Sequence, residues 1–127
     1  MSTVLIVDDS ETVRIQLKRV FIENDFDVLE AENGRVGLDV LKNNASKIDV
    51  ILCDVNMPEM DGLEMVRLVS EIEELSKIPI FMLTTEASKV SKEIGKDAGV
   101  KAWITKPFKP DKVLNAINKY MQKTSLK

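Results

Sequence analysis

Apolar residues recur along this chain in two alternating rhythms. Short runs at residues 3–7, 27–31, 50–53, 80–83 and 101–105 are rich in Val, Ile and Leu and end at turn or cap residues, the pattern of buried strands. Between them the apolar positions fall three or four apart, as on one face of a helix. Val13, Leu17, Val20 and Phe21 form such a stripe behind Ser10, a good helix-capping residue. Leu38, Leu41 and Ala45 form a second after Gly34, and Met65, Val69 and Ile72 a third after Asp61, which can also cap. Val90, Ile94 and Ala98 make a fourth, and Val113, Leu114, Ile117 and Met121 a fifth. Gly95 inside the fourth is expected to weaken it by roughly 1 kcal/mol relative to Ala.

Five strand-then-helix units in strict alternation predict a doubly wound α/β fold, a parallel sheet with helices on both faces. Right-handed crossovers then leave few topologies. Repeats, linkers and low-complexity segments are absent, so residues 1–127 are expected to be one domain, frayed only at the last few positions.

Ligands of such sheets bind beyond the carboxyl ends of the strands, so the residues that end the strands carry the question of function. The first strand runs into Asp8 and Asp9, the third into Asp54, the fourth into Thr84 and Thr85, and the fifth into Thr105, Lys106 and Pro107. Each has an ordinary reading: a competing helix cap, a strand-end hydroxyl, a solvated lysine. Three carboxylates, a hydroxyl and a lysine converging on one rim are harder to explain that way.

Composition narrows the chemistry. The chain has no histidine, which removes the usual metal ligand and general base, and with them Ser-His and Cys-His nucleophilic catalysis. The single cysteine, Cys53, lies inside an apolar run and reads as a small buried hydrophobe; its solitude excludes an internal disulfide and fits a reducing cytoplasm. No apolar run approaches the roughly 20 residues of a membrane span, and Met1 leads directly into a strand pattern, so no leader sequence is expected.

Charge is unevenly spread. Residues 1–84 hold 8 Lys and Arg against 17 Asp and Glu, whereas residues 85–127 hold 10 Lys against 4 acids. Either this is a solvated surface, or the first part carries an acidic site and the last a basic docking surface. With a net charge of −3 and no basic helix interleaved with aromatics, nucleic acid is not an expected partner.

Crowded carboxylates repel by about 4 kcal/mol per pair at 4 Å with an effective dielectric near 20. They need a cation or raised pKa values. Oxygen-only ligation suits a hard ion such as Mg²⁺, with Mn²⁺ as an alternative. A Mg²⁺ beside a free carboxylate, a lysine and a hydroxyl is a phosphoryl-transfer site.

The ordered set Asp8-Asp9, then Asp54, Met57, Pro58, Asp61 and Gly62 as D-x-x-M-P-x-x-D-G, then Thr84-x-Glu86 and Lys106-Pro107-Phe108 resembles the receiver domain of two-component response regulators. The resemblance covers nearly the whole chain and is greatest to single-domain receivers of the chemotaxis type, without an output domain. It implies a flavodoxin-like strand order 2-1-3-4-5. It also implies Asp54 as phosphoacceptor, Asp8, Asp9, Asp54 and the Asn56 backbone carbonyl as Mg²⁺ ligands, and Lys106 and Thr84 as contacts to the phosphoryl group. In the family a cis peptide precedes the proline of Lys106-Pro107, and Asn56 and Glu86 occupy positions that tune hydrolysis. Such a protein catalyses its own phosphorylation and dephosphorylation without being a conventional turnover enzyme.

Two positions depart from the pattern. Trp103 stands where the family carries Tyr or Phe, the aromatic whose rotamer follows the Thr; its larger indole puts that coupling in question, and a half-buried strand aromatic is the alternative reading of it. Thr85 is bulkier than the small residue usual there, which would narrow access to the site. The implied partners are a histidine kinase as donor, a phosphatase, and a downstream protein target for a monomer in the cytoplasm. That target would dock on the fourth helix, fifth strand and fifth helix, where Lys89, Lys92, Lys101, Lys109, Lys112 and Lys119 lie.

Other readings fit less well. A haloacid-dehalogenase-type phosphatase needs a second Asp where this chain has Asn56, and a flavodoxin-like electron carrier needs a phosphate loop where it has Asp8-Asp9-Ser10. A phosphorylation-independent receiver acting as a binding module usually lacks an acidic or lysine position, and none is missing here. A phosphorelay intermediate or phosphate sink remains an alternative among true receivers.

Overall fold

Strand β1 (Thr3–Val7), helix α1 (Glu11–Glu23), β2 (Asp27–Ala31), α2 (Gly34–Asn43), β3 (Val50–Asp54), α3 (Gly62–Glu71), β4 (Ile80–Thr84), β5 (Val100–Thr105) and α4 (Pro110–Ser125) follow one another along the chain. The computed structural model describes residues 2–57, 60–84 and 99–125. Of the expected elements, the fourth amphipathic stripe, with Val90, Ile94, Gly95 and Ala98, lies outside the described residues, so the fifth predicted helix is α4. The strands form one parallel sheet in the order β2-β1-β3-β4-β5.

The central strands β1, β3 and β4 are buried on both faces, which is why they read as continuous apolar runs. Leu5, Val7, Ile51, Cys53, Ile80 and Met82 point to one side and pack with α2 and α3 through Leu38, Leu41, Met65, Val66 and Val69. Their neighbours Val4, Ile6, Val50, Leu52, Phe81 and Leu83 point to the other, against Leu17 and Phe21 of α1 and Val113, Leu114 and Ile117 of α4. Helix starts follow capping chemistry. The side chains of Ser10, Asn33 and Asp61 accept the backbone N–H of Val13, Val36 and Glu64 at 3.3, 2.9 and 2.9 Å.

Several boundaries differ from the sequence pattern. Both β3 and β4 run one residue further than their apolar runs, because Asp54 pairs with Leu83 and Thr84 with Thr105 in the parallel ladder. Ile72 is the cap of α3 and Ala45 lies beyond α2, yet both pack against the core. On β5 the register shifts by one: Ile80 pairs with Val100 but Phe81 with Ala102, so Lys101 bulges out into solvent on an edge strand. The bulge lets Val100 and Trp103, three residues apart, join the same cluster. Among the described residues no helix is long and apolar enough to cross a membrane.

One close approach places the end of β3. The Gly62 N–H donates to the Val55 carbonyl at 2.8 Å, and a Cβ on Gly62 would collide with the Asp54 carbonyl oxygen and lie 2.9 Å from its carbon. Gly62→Ala is therefore expected to cost about 3 kcal/mol, the upper end of overpacking, in urea unfolding. Gly99→Ala meets no atom within 4 Å but would hold Ala at φ +92°, and should cost only about 1–2 kcal/mol.

Candidate functional site

Hydrogen bonds of the sheet continue one residue past the strands and fix the rim. The N–H of Asp8 donates to Ala31 O at 3.1 Å, that of Val55 to Leu83 O at 3.0 Å, and that of Lys106 to Thr84 O at 2.7 Å. The backbone on which Asp8, Asp54 and Lys106 stand is thus set by strand register and not by loops. The Lys106–Pro107 peptide is cis. Strand order reverses at β1, which lies between β2 and β3, so Asp8 and Asp54 stand at the switch point where open α/β sheets bind ligands.

At that point the Lys106 ammonium lies 3.3 Å from Asp8 Oδ2 and 3.4 Å from Asp54 Oδ2. Asp8 is fully buried and Asp54 only 4% exposed. Charges that deep require partners, and they have them. Asp8 Oδ1 accepts the Ser10 N–H at 2.8 Å, and the Asn56 N–H bonds the Asp54 carboxylate. Asp9 is exposed at the mouth. One carboxylate oxygen each from Asp8, Asp9 and Asp54 lies within 4.8 Å of the other two.

Electrostatics at this rim are unbalanced. Burial first, and then the charge of Asp8, raises the Asp54 carboxyl above its ordinary 3.8, while Lys106 and the Asn56 N–H pull the other way. For Lys106, burial lowers the ammonium, but Asp8 and Asp54 outweigh it and hold the group above its ordinary 10.5. With Asp8, Asp9 and Asp54 ionised, one lysine leaves the cluster two negative charges in excess. Cys53, beside Asp54, is pushed well up by burial and by the carboxylates of Asp54, Asp8 and Asp61, and its Sγ donates to Asp54 O at 3.2 Å. It is a neutral, buried thiol, as its place in the apolar run predicts.

The donor set suits a hard divalent ion. The three carboxylate oxygens lie near enough to one another to converge on a single ion. Three carboxylates without nitrogen or sulfur, and the excess negative charge, match Mg²⁺ in kind and in sign.

The remaining candidates are distributed as follows. Thr84 is buried at the end of β4 and Asn56 is exposed in the turn after β3. Trp103 is half-buried, paired with Met82 and packed against the α2–α3 side of the core. Lys101, Lys109, Lys112 and Lys119 are exposed on β5 and at or along α4. Thr85, Glu86, Lys89 and Lys92, and Pro58 of the motif, lie outside the described residues.

Sequence reasoning passed over Arg14. Its Nη1 donates to the Asp8 backbone carbonyl at 2.6 Å, and its Nε lies 3.4 Å from Glu30 Oε1. The signal was present: Arg14, Leu17 and Phe21 fall at i, i+3 and i+7, and the latter two are fully buried.

The sequence profile of the response regulator receiver domain matches residues 4–118. The chemotaxis protein CheY of Bacillus subtilis is 37% identical over 117 residues, 91% of this chain and 94% of that protein. The structure of chemotaxis response regulator CheY4 of Vibrio cholerae, 37% identical, superposes with a TM-score of 0.86 over 94% of this chain and 98% of its own. The CheX–CheY–BeF₃–Mg²⁺ complex of Borrelia burgdorferi, 27% identical, gives 0.86 over 94% and 89%. Against Histidine kinase P4 of Formosa agariphila, 37% identical over 107 residues, the match takes in 84% of this chain but only 8% of that protein.

Two outcomes follow from the charge balance. Lys106→Met removes a cation that competes with a metal, so Mg²⁺ affinity by titration calorimetry should rise roughly fivefold, ~1 kcal/mol of relieved repulsion. Asp54 binds its proton more tightly folded than unfolded, so its contribution to stability is present below 3.8 and is lost as pH rises through the raised value. Asp54→Asn should accordingly raise Tm by roughly 2–5 °C at pH 7 in EDTA, with the gain fading as pH falls towards 3.8.

Proposed function

The chain belongs to the response regulator receiver domain family, and on that premise we propose that Asp54 accepts a phosphoryl group from a histidine of a partner kinase. The observation that carries this reading is the Lys106 ammonium held between the Asp8 and Asp54 carboxylates at the switch point of the sheet. Chain and partner divide the chemistry. This chain has no histidine, so the P–N bond that breaks belongs to the partner, and the bond that forms is to a carboxylate oxygen of Asp54.

Asp8, Asp9, Asp54 and the Asn56 backbone carbonyl hold Mg²⁺, or Mn²⁺ in its place. When bound, the metal supplies positive charge against the carboxylates and the phosphoryl oxygens. The Borrelia burgdorferi CheY complex, with its BeF₃ and Mg²⁺, supports a metal and a phosphoryl mimic for this kind of domain. Within reach of Asp54, the Lys106 ammonium moves from shared ion pair to donor on a phosphoryl oxygen. The Thr84 hydroxyl, at the end of the neighbouring strand, donates to another. The domain so catalyses its own phosphorylation and hydrolysis, with no separate substrate turned over.

Phosphorylation then biases a conformational equilibrium. Moving it from 1:99 to 99:1 takes about 5.5 kcal/mol, and charged hydrogen bonds contribute about 1.5–3 kcal/mol each. Contacts from Thr84 and Lys106 together approach that figure and neither alone does, so binding of the target completes the shift. The output surface is basic. Lys101 on the β5 bulge and Lys109, Lys112 and Lys119 at or along α4 are exposed, and they suit an acidic or amphipathic segment of a downstream protein. The chemotaxis names of the relatives support control of motility as the pathway.

Intact-mass spectrometry after incubation with acetyl phosphate tests the chemistry. A gain of one phosphoryl group is expected with Mg²⁺, and none with EDTA or in Asp54→Asn. A Mg²⁺-independent gain, or one retained in Asp54→Asn, would refute the assignment. For the output face, affinity for a captured target should fall with salt and drop about threefold or more in Lys112→Ala/Lys119→Ala; insensitivity to both would place the interface elsewhere.

A further inference from the structure

Arg14 differs from the other basic residues of α1. Its side chain is 15% exposed, whereas that of Lys18, one turn on, is 44% exposed. The position is dictated by helical spacing, since Arg14 shares the face of Leu17 and Phe21 that packs on the sheet. A guanidinium on that face must find acceptors. It finds the Asp8 carbonyl at 2.6 Å and the Glu30 carboxylate at 3.4 Å, and Glu30 is itself held by Lys18 at 3.1 Å. One rigid planar group therefore ties the turn after β1 to the end of β2.

What that tie fixes is a peptide plane. The carbonyl of Asp8 and the N and Cα of Asp9 belong to one planar unit, so holding the Asp8 oxygen fixes the point from which the Asp9 side chain departs and limits its swing to rotation about Asp9 φ and its own side-chain torsions. Asp8 has its own anchors in Ser10 and Lys106. Asp9, exposed at the mouth, depends more on its backbone for its place among the three carboxylates.

We infer that Arg14 is a positioning residue for metal binding, holding the Asp8–Asp9 peptide so that the Asp9 carboxylate stays aimed at the cluster. The inference rests on the reading of Asp8, Asp9 and Asp54 as a Mg²⁺ site. Positioning and electrostatics differ here in sign. Removing a cation near the carboxylates would by itself tighten Mg²⁺ binding, whereas releasing the peptide weakens it.

Titration calorimetry with MgCl₂ distinguishes the two, run on the full chain at a temperature where circular dichroism shows each variant folded. Arg14→Met keeps the aliphatic stem and should weaken Mg²⁺ binding about tenfold, the low end of losses from groups that orient metal ligands. Arg14→Lys keeps the charge but not the fork that spans Asp8 and Glu30; it should weaken binding by a smaller factor, and it decides the question if Arg14→Met does not fold. In an Asp9→Ala background, Arg14→Met should cause no further loss, because the carboxylate it aims is gone. Unchanged or tighter binding in the Arg14 variants overturns the inference, even if Tm in EDTA falls. So does an equal loss in the Asp9→Ala background. A wild-type chain that binds no Mg²⁺ overturns the metal reading itself, and the inference with it.

Discussion

Two carboxylates buried beside one another at the mouth of a parallel sheet cannot stand uncompensated, and the Lys106 ammonium between Asp8 and Asp54 is what lets them do so. The three groups come from the ends of three strands, β1, β3 and β5, brought to one rim only by the tertiary fold. Each is held by backbone bonds that extend the ladder past the strand ends. The compensation is incomplete, because Asp9 adds a third negative charge at the rim. Burial and Asp8 together keep the Asp54 carboxyl above its ordinary value. The site therefore works against the stability of the metal-free fold, and the same imbalance suits it to a divalent cation.

The surroundings serve that arrangement. Gly62 lets α3 begin against the carbonyl of Asp54, where any side chain would collide. Ser10 caps α1 with its hydroxyl while its N–H holds Asp8, so one residue both starts a helix and orients a charged ligand. The apolar residues that alternate along β1, β3 and β4 fill two cores, one on each face, and leave the chemistry to the strand ends. Separating stability from function in this way gives an open α/β sheet a fixed frame with an exposed rim.

Much of this was legible in the chain. The runs of Val, Ile and Leu marked strands buried on both faces, the three-and-four spacing marked helices, and asking which polar residues end the strands brought Asp8, Asp54, Thr84 and Lys106 to one rim. Other features were not legible, for physical reasons. The bulge at Lys101 arises from pairing between β4 and β5, which no single segment encodes. Asp25 takes a left-handed φ of 67° at the close of α1, where glycine would be the expected signal. Arg14 was overlooked because an arginine beside a hydrophobic stripe usually snorkels to solvent; here the carbonyl of Asp8 and the carboxylate of Glu30 give it reason to stay.

The most direct test of the charge imbalance is the thermal unfolding of the metal-free chain at pH 7, with and without Mg²⁺, at ionic strength matched with NaCl. A ligand that binds only the folded state stabilises it by about 1.4 kcal/mol at ten times its Kd. Mg²⁺ at that level should thus raise Tm by roughly 3–6 °C, and the rise should be lost when Asp9 and Asp54 are both changed to Asn. A Tm that responds equally to Mg²⁺ and to matched NaCl would contradict the central claim that these carboxylates are held for a metal.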